Sequence, residues 1–182
     1  VTADLPPADE LHSRLDAVHD VLYLIFNEGY SANASDQLVR RELMDEARRL
    51  ALLLHDLMPN ETEPAGMVAL ILLHDSRRES RIGNQGEFIA LEFQNRDLWN
   101  HASIKSGIAY LKATLAKGKI GPYQLQAAIS ACHAEALSWD QTDWPQISAL
   151  YELLYSIQPT PVVRLNQAYA ISHAQSPKIA LD

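Results

Sequence analysis

The sequence predicts an all-α protein, an antiparallel array or bundle of helices with one small β-hairpin near residues 81–91. Three observations point there. Apolar residues recur at spacings of three and four in segment after segment, and the links between those segments are short. The composition, 47% hydrophobic with only 7 glycines, favours ordered helix over disorder. At 182 residues the chain suits one domain with a substantial core. Residues 1–8, with Pro6 and Pro7, read as an extended lead-in, and residues 9–182 as a single helical domain.

The first helix is expected from an Asp9 cap to about Asn27, with Leu11, Leu15, Val18, Leu22, Ile25 and Phe26 as its apolar stripe and Gly29 at its C-cap. A polar loop, Ser31 to Asp36, leads to a second helix from about Gln37 to Leu57, with Leu43, Ala47, Leu50, Leu54 and Leu57 inward. Pro64 opens a third helix that is apolar on all sides through its middle, the pattern of a helix buried by several neighbours, and runs into His74-Asp75-Ser76-Arg77-Arg78. The only convincing β signal follows, two short apolar arms around Gly83-Asn84-Gln85-Gly86. Asn95 or Asp97 is expected to cap a fourth helix to about Lys117. Its core face is Leu98, Ile104, Ile108, Leu111 and Leu115, and Lys105, Lys112 and Lys119 lie on a solvated side.

Gly121-Pro122 starts a helix to about Ala136 that we expect at the centre of the fold. Leu125, Ala128, Ile129, Cys132 and Ala136 form its apolar stripe, Gln126, Ser130 and His133 a polar one, and small residues between them permit close helix approach. Asp143 caps a sixth helix facing inward through Ile147, Leu150, Tyr151, Leu154 and Ile157. A seventh runs from about Val162 to Ala174, and Ser176-Pro177 begins an eighth that the chain cuts short. Trp144, Ala149, Pro159 and the stretch 166–170 echo the small-and-aromatic pattern of tetratricopeptide repeats, though the first half lacks that period. The chain opens at Val1 without methionine and stops within a helical pattern, so it is expected to be a piece of a longer protein.

The formal net charge of -8 makes the chain by itself a poor nucleic-acid binder. Cys132, the single cysteine, excludes an internal disulfide and is compatible with a reducing cytoplasm. No apolar run reaches membrane-spanning length, and no HExxH, CxxC, GxSxG, P-loop or dinucleotide fingerprint is present. No cofactor or metal is expected, and Cys132 and His133, adjacent on a helix, point too far apart to act as a nucleophile pair. Two readings compete for His74-Asp75-Ser76-Arg77-Arg78: a salt-bridge knot holding Glu28 or Asp75, or an anion- or peptide-binding notch. Gln126 and His133 likewise either satisfy backbone groups or each other internally, or form with Tyr123 one wall of a polar pocket.

Four blocks carry a resemblance. Val21 to Tyr30 (VLYLIFNEGY), Leu72 to Arg78 (LLHDSRR), Gly121 to Ile129 (GPYQLQAAI), and Thr142-Asp143-Trp144 with Pro161 to Asn166 occur in the order and spacing of one group of extracytoplasmic-function RNA polymerase sigma factors. The chain resembles the C-terminal, tetratricopeptide-like extension of that group. Neither sigma region is present in this sequence, so no promoter-reading residue can be assigned to it. The resemblance implies a regulatory or stabilising module, not an enzyme, in the cytoplasm of a bacterium. Its partners would be the sigma regions of the same full-length chain and RNA polymerase, with DNA reached only through the missing sigma regions and no membrane involved. From the matched blocks, Asn27, Glu28, Tyr30, His74, Asp75, Arg77, Arg78, Tyr123, Gln124, Gln126 and Asn166, together with His133, are candidates for a pocket or an internal polar network. The alternative is a small-molecule-sensing or enzymatic helical domain with its pocket built from the same blocks.

Overall fold

The computed structural model describes residues 8–30 and 37–175. These form an all-α array of seven helices in chain order: α1 (Ala8–Tyr30), α2 (Gln37–Leu57), α3 (Glu63–Asp75), α4 (His101–Leu115), α5 (Pro122–Glu135), α6 (Trp144–Ile157) and α7 (Pro161–Ala174). The expected lead-in before Ala8, the loop at 31–36 and the start of an eighth helix at Ser176-Pro177 lie outside the described residues. Most helices pack chiefly on their neighbours in sequence, as expected for short links, but α5 packs most extensively on α3.

Helix α3 is the most enclosed element. Residues 64–71 and Leu73 are all buried, as its all-round apolar pattern requires. They anchor a first core with Leu22 and Phe26 of α1, Met44, Ala47 and Ala51 of α2, Ile104 and Leu111 of α4, and Tyr123, Ala127 and Ala131 of α5. A second core joins Leu125 and Ile129 of α5 to Trp144, Ile147 and Leu154 of α6 and Val163 and Ala170 of α7. Helix α5 therefore has two buried faces and stands between the cores. The expected stripe through Leu125 and Ile129 faces α6 and α7, while Gln124, Ala127 and Ala131, which the spacing did not single out, face α3. The approach there is close: a Cβ on Gly66 of α3 would lie 2.7 Å from Gln124 Cγ and 2.9 Å from the Gln124 backbone nitrogen.

Several caps match expectation. The Asp143 carboxylate accepts from Gln146 N–H at 3.0 Å, and Gly121 precedes Pro122 at the start of α5. Others do not. Helix α1 continues through Gly29 to Tyr30 instead of ending there, because Tyr30 is held by tertiary contacts: its ring lies 4.9 Å from that of His74, and its carbonyl accepts from Arg81 Nη2 at 2.7 Å. Asn95 caps only a short 3-10 turn, Arg96–Leu98, and α4 begins after Asn100, whose side chain accepts from Ser103 N–H at 3.0 Å. Leu98 is accordingly exposed and the neighbouring Trp99 takes its place in the core.

The expected hairpin shrinks to one antiparallel bridge between Ile82 and Phe88, closed by Gly83 N–H to Glu87 O at 2.9 Å and Ile89 N–H to Arg81 O at 2.8 Å, with Gly86 at φ 83°. Its arms are too short for a stable ladder: Phe88 is exposed and Arg81 is drawn away to α1. Val18, Leu57 and Leu115, expected inward, are also exposed, since the stripes on these helices run wider than the surfaces covering them.

Candidate functional site

The C-terminal end of α3 places polar groups directly beside the first core, and each arginine there is tied to named partners. Arg77 donates to the Tyr30 hydroxyl at 3.1 Å, and its guanidinium lies 6.0 Å from the Trp99 ring. Arg81 covers the Tyr30 ring at 3.3 Å while bonding the Tyr30 carbonyl. Arg78 pairs with Asp75 at 2.6 Å and reaches Asp45 of α2 at 3.3 Å. Farther along, Arg96 lies over Trp99 at 4.4 Å and donates to the carbonyls of His133 (2.6 Å) and Ala136 (2.9 Å), which close the end of α5. These contacts form a knot whose carboxylates are Asp75 and Asp45, while Glu28 is exposed on α1.

His74 forms the boundary between this knot and an open cleft. Its ring meets Phe26 and Tyr30 edge-on, and its Nε2 shares a hydrogen bond with Ser130 Oγ of α5 at 2.9 Å. Burial, then the charges of Arg77 and Arg81, hold its pKa well below the usual imidazole range, so it is neutral. On the cleft side, His74, Ser130, Gln126, Tyr123 and Asn166 line a cavity of about 340 Å³ between α1, α3, α5 and the α6–α7 pair. Asp20 and Tyr23 of α1 and Tyr151 of α6 are also among its lining residues. The Tyr123 hydroxyl donates to Asp20 Oδ1 at 3.2 Å. Burial, reinforced by the negative charges of Asp20 and Glu63, raises the Tyr123 pKa far above the phenol range.

A second cavity of about 270 Å³ adjoins the first and shares Tyr151 and Asn166 with it. Its walls are aromatic: Trp139, Trp144, Tyr169 and the His133 ring, with Glu92 at the edge. His133 stacks on Trp139 at 6.0 Å and meets Trp144 edge-on at 5.3 Å. Burial first, then Arg77 and Arg96, lowers its pKa to about 4.

The candidate residues therefore separate into three groups. Tyr30, Asp75, Arg77 and Arg78 belong to the knot. His74, Tyr123, Gln126 and Asn166 line the cleft, and His133 lines the adjoining cavity instead of the same wall. Gln124 belongs to neither: fully buried, it donates through Nε2 to Thr62 Oγ1, Glu63 Oε1 and the Lys119 carbonyl at 2.9 to 3.1 Å. Asn27 is half-buried on α1, away from the cavity linings. Sequence reading missed Asp20, Tyr23 and Tyr151 at the cleft and Arg81 and Arg96 beneath it. Asp20 precedes the conspicuous apolar run of α1, Val21 to Phe26, and Tyr23 lies within it; the two sit three apart on one helical side, a signal that was available. Among the described residues no three His, Cys, Asp or Glu side chains gather as metal ligands, and no helix is long and apolar enough to cross a membrane.

Comparison with known proteins finds relatives but no assigned activity. The chain is 44% identical over 178 residues to an uncharacterized protein of Rhizobium meliloti (strain 1021), a match covering 98% of this chain and 42% of that protein. It therefore spans less than half the length of that relative. No solved structure matches. Residues 14–115, from within α1 to the end of α4 and including the whole arginine knot, match the model of a family of unknown function, DUF6596, and the chain belongs to that family.

Proposed function

We propose that this chain is the C-terminal regulatory domain of an alternative RNA polymerase sigma factor, a cytoplasmic protein-binding module without catalysis. The observation that carries the reading is the ordered set of four blocks, from Val21-Leu22-Tyr23 to Arg164-Leu165-Asn166, that resemble the extension of such factors. The placement of three of these blocks is consistent with a binding role: His74 of α3, Tyr123 and Gln126 of α5 and Asn166 of α7 meet at one open cleft. The relative more than twice as long as the match leaves room for sigma regions elsewhere in a parent protein. The net charge of -8 suits contact with basic DNA-binding regions and disfavours direct contact with DNA. Deleting residues 9–182 from the full-length protein is expected to change promoter-specific transcription by the reconstituted polymerase. Unchanged transcription overturns the reading.

The rival, a domain that senses a small molecule, is favoured by one observation, the volume of about 340 Å³, within the range of sites for small ligands. It loses support from the division of Glu28, His74, Arg77, Tyr123 and His133 among different places. A metabolite screen by thermal shift separates the two, since a sensor gains stability on ligand binding and a polypeptide-binding module does not.

A further inference from the structure

The two adjoining cavities share a chemical character that names what they take. Each has one carboxylate in its lining, Asp20 in the first and Glu92 in the second, and neither has a lysine or arginine among its described lining residues. Each is walled by electron-rich rings: Tyr23, Tyr123 and Tyr151 in the first, Trp139, Trp144 and Tyr169 in the second. The histidines between them, His74 and His133, are held neutral and add no positive charge. The nearby arginines lie outside both linings and are bound to partners of their own. Arg77 and Arg81 are bound to Tyr30, and Arg96 is bound to the carbonyls of His133 and Ala136. A ring face next to a carboxylate attracts a cation, and the attraction strengthens as water is excluded.

We propose that the paired cavities form a binding site for an extended polypeptide segment carrying two basic side chains, one entering beside Asp20 and the other beside Glu92. The segment crosses the shared wall of Tyr151 and Asn166, where the Asn166 amide offers both a donor and an acceptor to its backbone. This rests on the reading of the cleft as a polypeptide site and adds its chemical preference. An acidic domain with a dibasic slot selects its partner by charge position as well as by net charge.

The test is a titration of the 182-residue chain at about 150 mM salt, where exposed charges beyond about 8 Å are screened. The probes are two capped nonapeptides, one alternating arginine with glycine and the other alternating citrulline with glycine, citrulline being the neutral isostere of arginine. The expected result is at least tenfold tighter binding of the arginine peptide. Asp20→Asn and Glu92→Gln each weaken it about tenfold, while Glu42→Gln, at an exposed acid on α2, leaves it unchanged. Equal binding of both peptides overturns the cationic preference and leaves the cleft as a polypeptide site. Binding of neither, or equal losses from all three substitutions, overturns the site itself.

Discussion

Two glutamines on α5, Gln124 and Gln126, are separated by a single residue and have opposite fates. Gln124 is sealed between α3 and α5, with its amide nitrogen shared among three acceptors; Gln126 stands at the cleft with no hydrogen bond to the described residues. Two positions along a helix turn a side chain by about 200 degrees, so the two sample different sides of the same element. Besides its two buried faces, α5 keeps the side that carries Gln126 and Ser130 open to the cleft. Polar residues in the matched blocks therefore cannot be assigned one common role from sequence.

The largest expected effect tests the closed side. Gly66→Ala, in a helix interior, ordinarily adds stability. Here the new methyl group would meet the Gln124 backbone, which cannot move without shifting α5, so we expect a loss of about 3 kcal/mol in urea unfolding. A neutral or stabilising result would mean that the α3–α5 contact is loose. Next is Arg81→Ala, which strips the cation from the Tyr30 ring and leaves the Tyr30 carbonyl without that donor; a loss of about 2 kcal/mol is expected.

Acid should act on the boundary between the two sides. The folded-state pKa values of His19, His74 and His133 all lie below the unfolded value of about 6.5, that of His133 at about 4. Between those limits the unfolded chain binds more protons than the native one, so stability is fully present above pH 6.5 and falls as pH drops toward 4. The buried Glu63 carboxyl, raised chiefly by burial, opposes this, since the native state takes up a proton there more readily than the unfolded chain does. We expect a net loss of about 2 kcal/mol between pH 7 and pH 5, with a shallower slope in His133→Gln. The smallest effect belongs to the open side: Gln126→Ala and Asn166→Ala should change stability by less than about 0.5 kcal/mol, because neither side chain is bonded within the described structure. A large loss from either would mean that the cleft is structural.

Much of this architecture is legible in the chain. The apolar run of α3 announces an enclosed helix, Asp143 and Gly121-Pro122 mark true helix starts, and Gln126, Ser130 and His133 do lie on a side of α5 that opens to cavities. What could not be read depends on partners distant in sequence. Gly29 suggests a helix end, but the His74 ring and Arg81 extend α1 past it. Leu98 fits the periodicity of α4, yet Trp99 has more apolar surface to bury and the Asn95 turn delivers it inward. Asp20 and Glu92 look like ordinary surface acids until the fold sets each beside aromatic rings from other elements.

The most direct test of the central claim is a photo-crosslink from the cleft in the full-length parent protein. With p-benzoylphenylalanine at Gln126, illumination followed by mass spectrometry is predicted to give adducts on a basic segment of the sigma regions or of polymerase. Lys112, exposed on α4, serves as the control position and should give none there. Adducts at Gln126 no more frequent than at Lys112 would contradict a polypeptide-binding cleft.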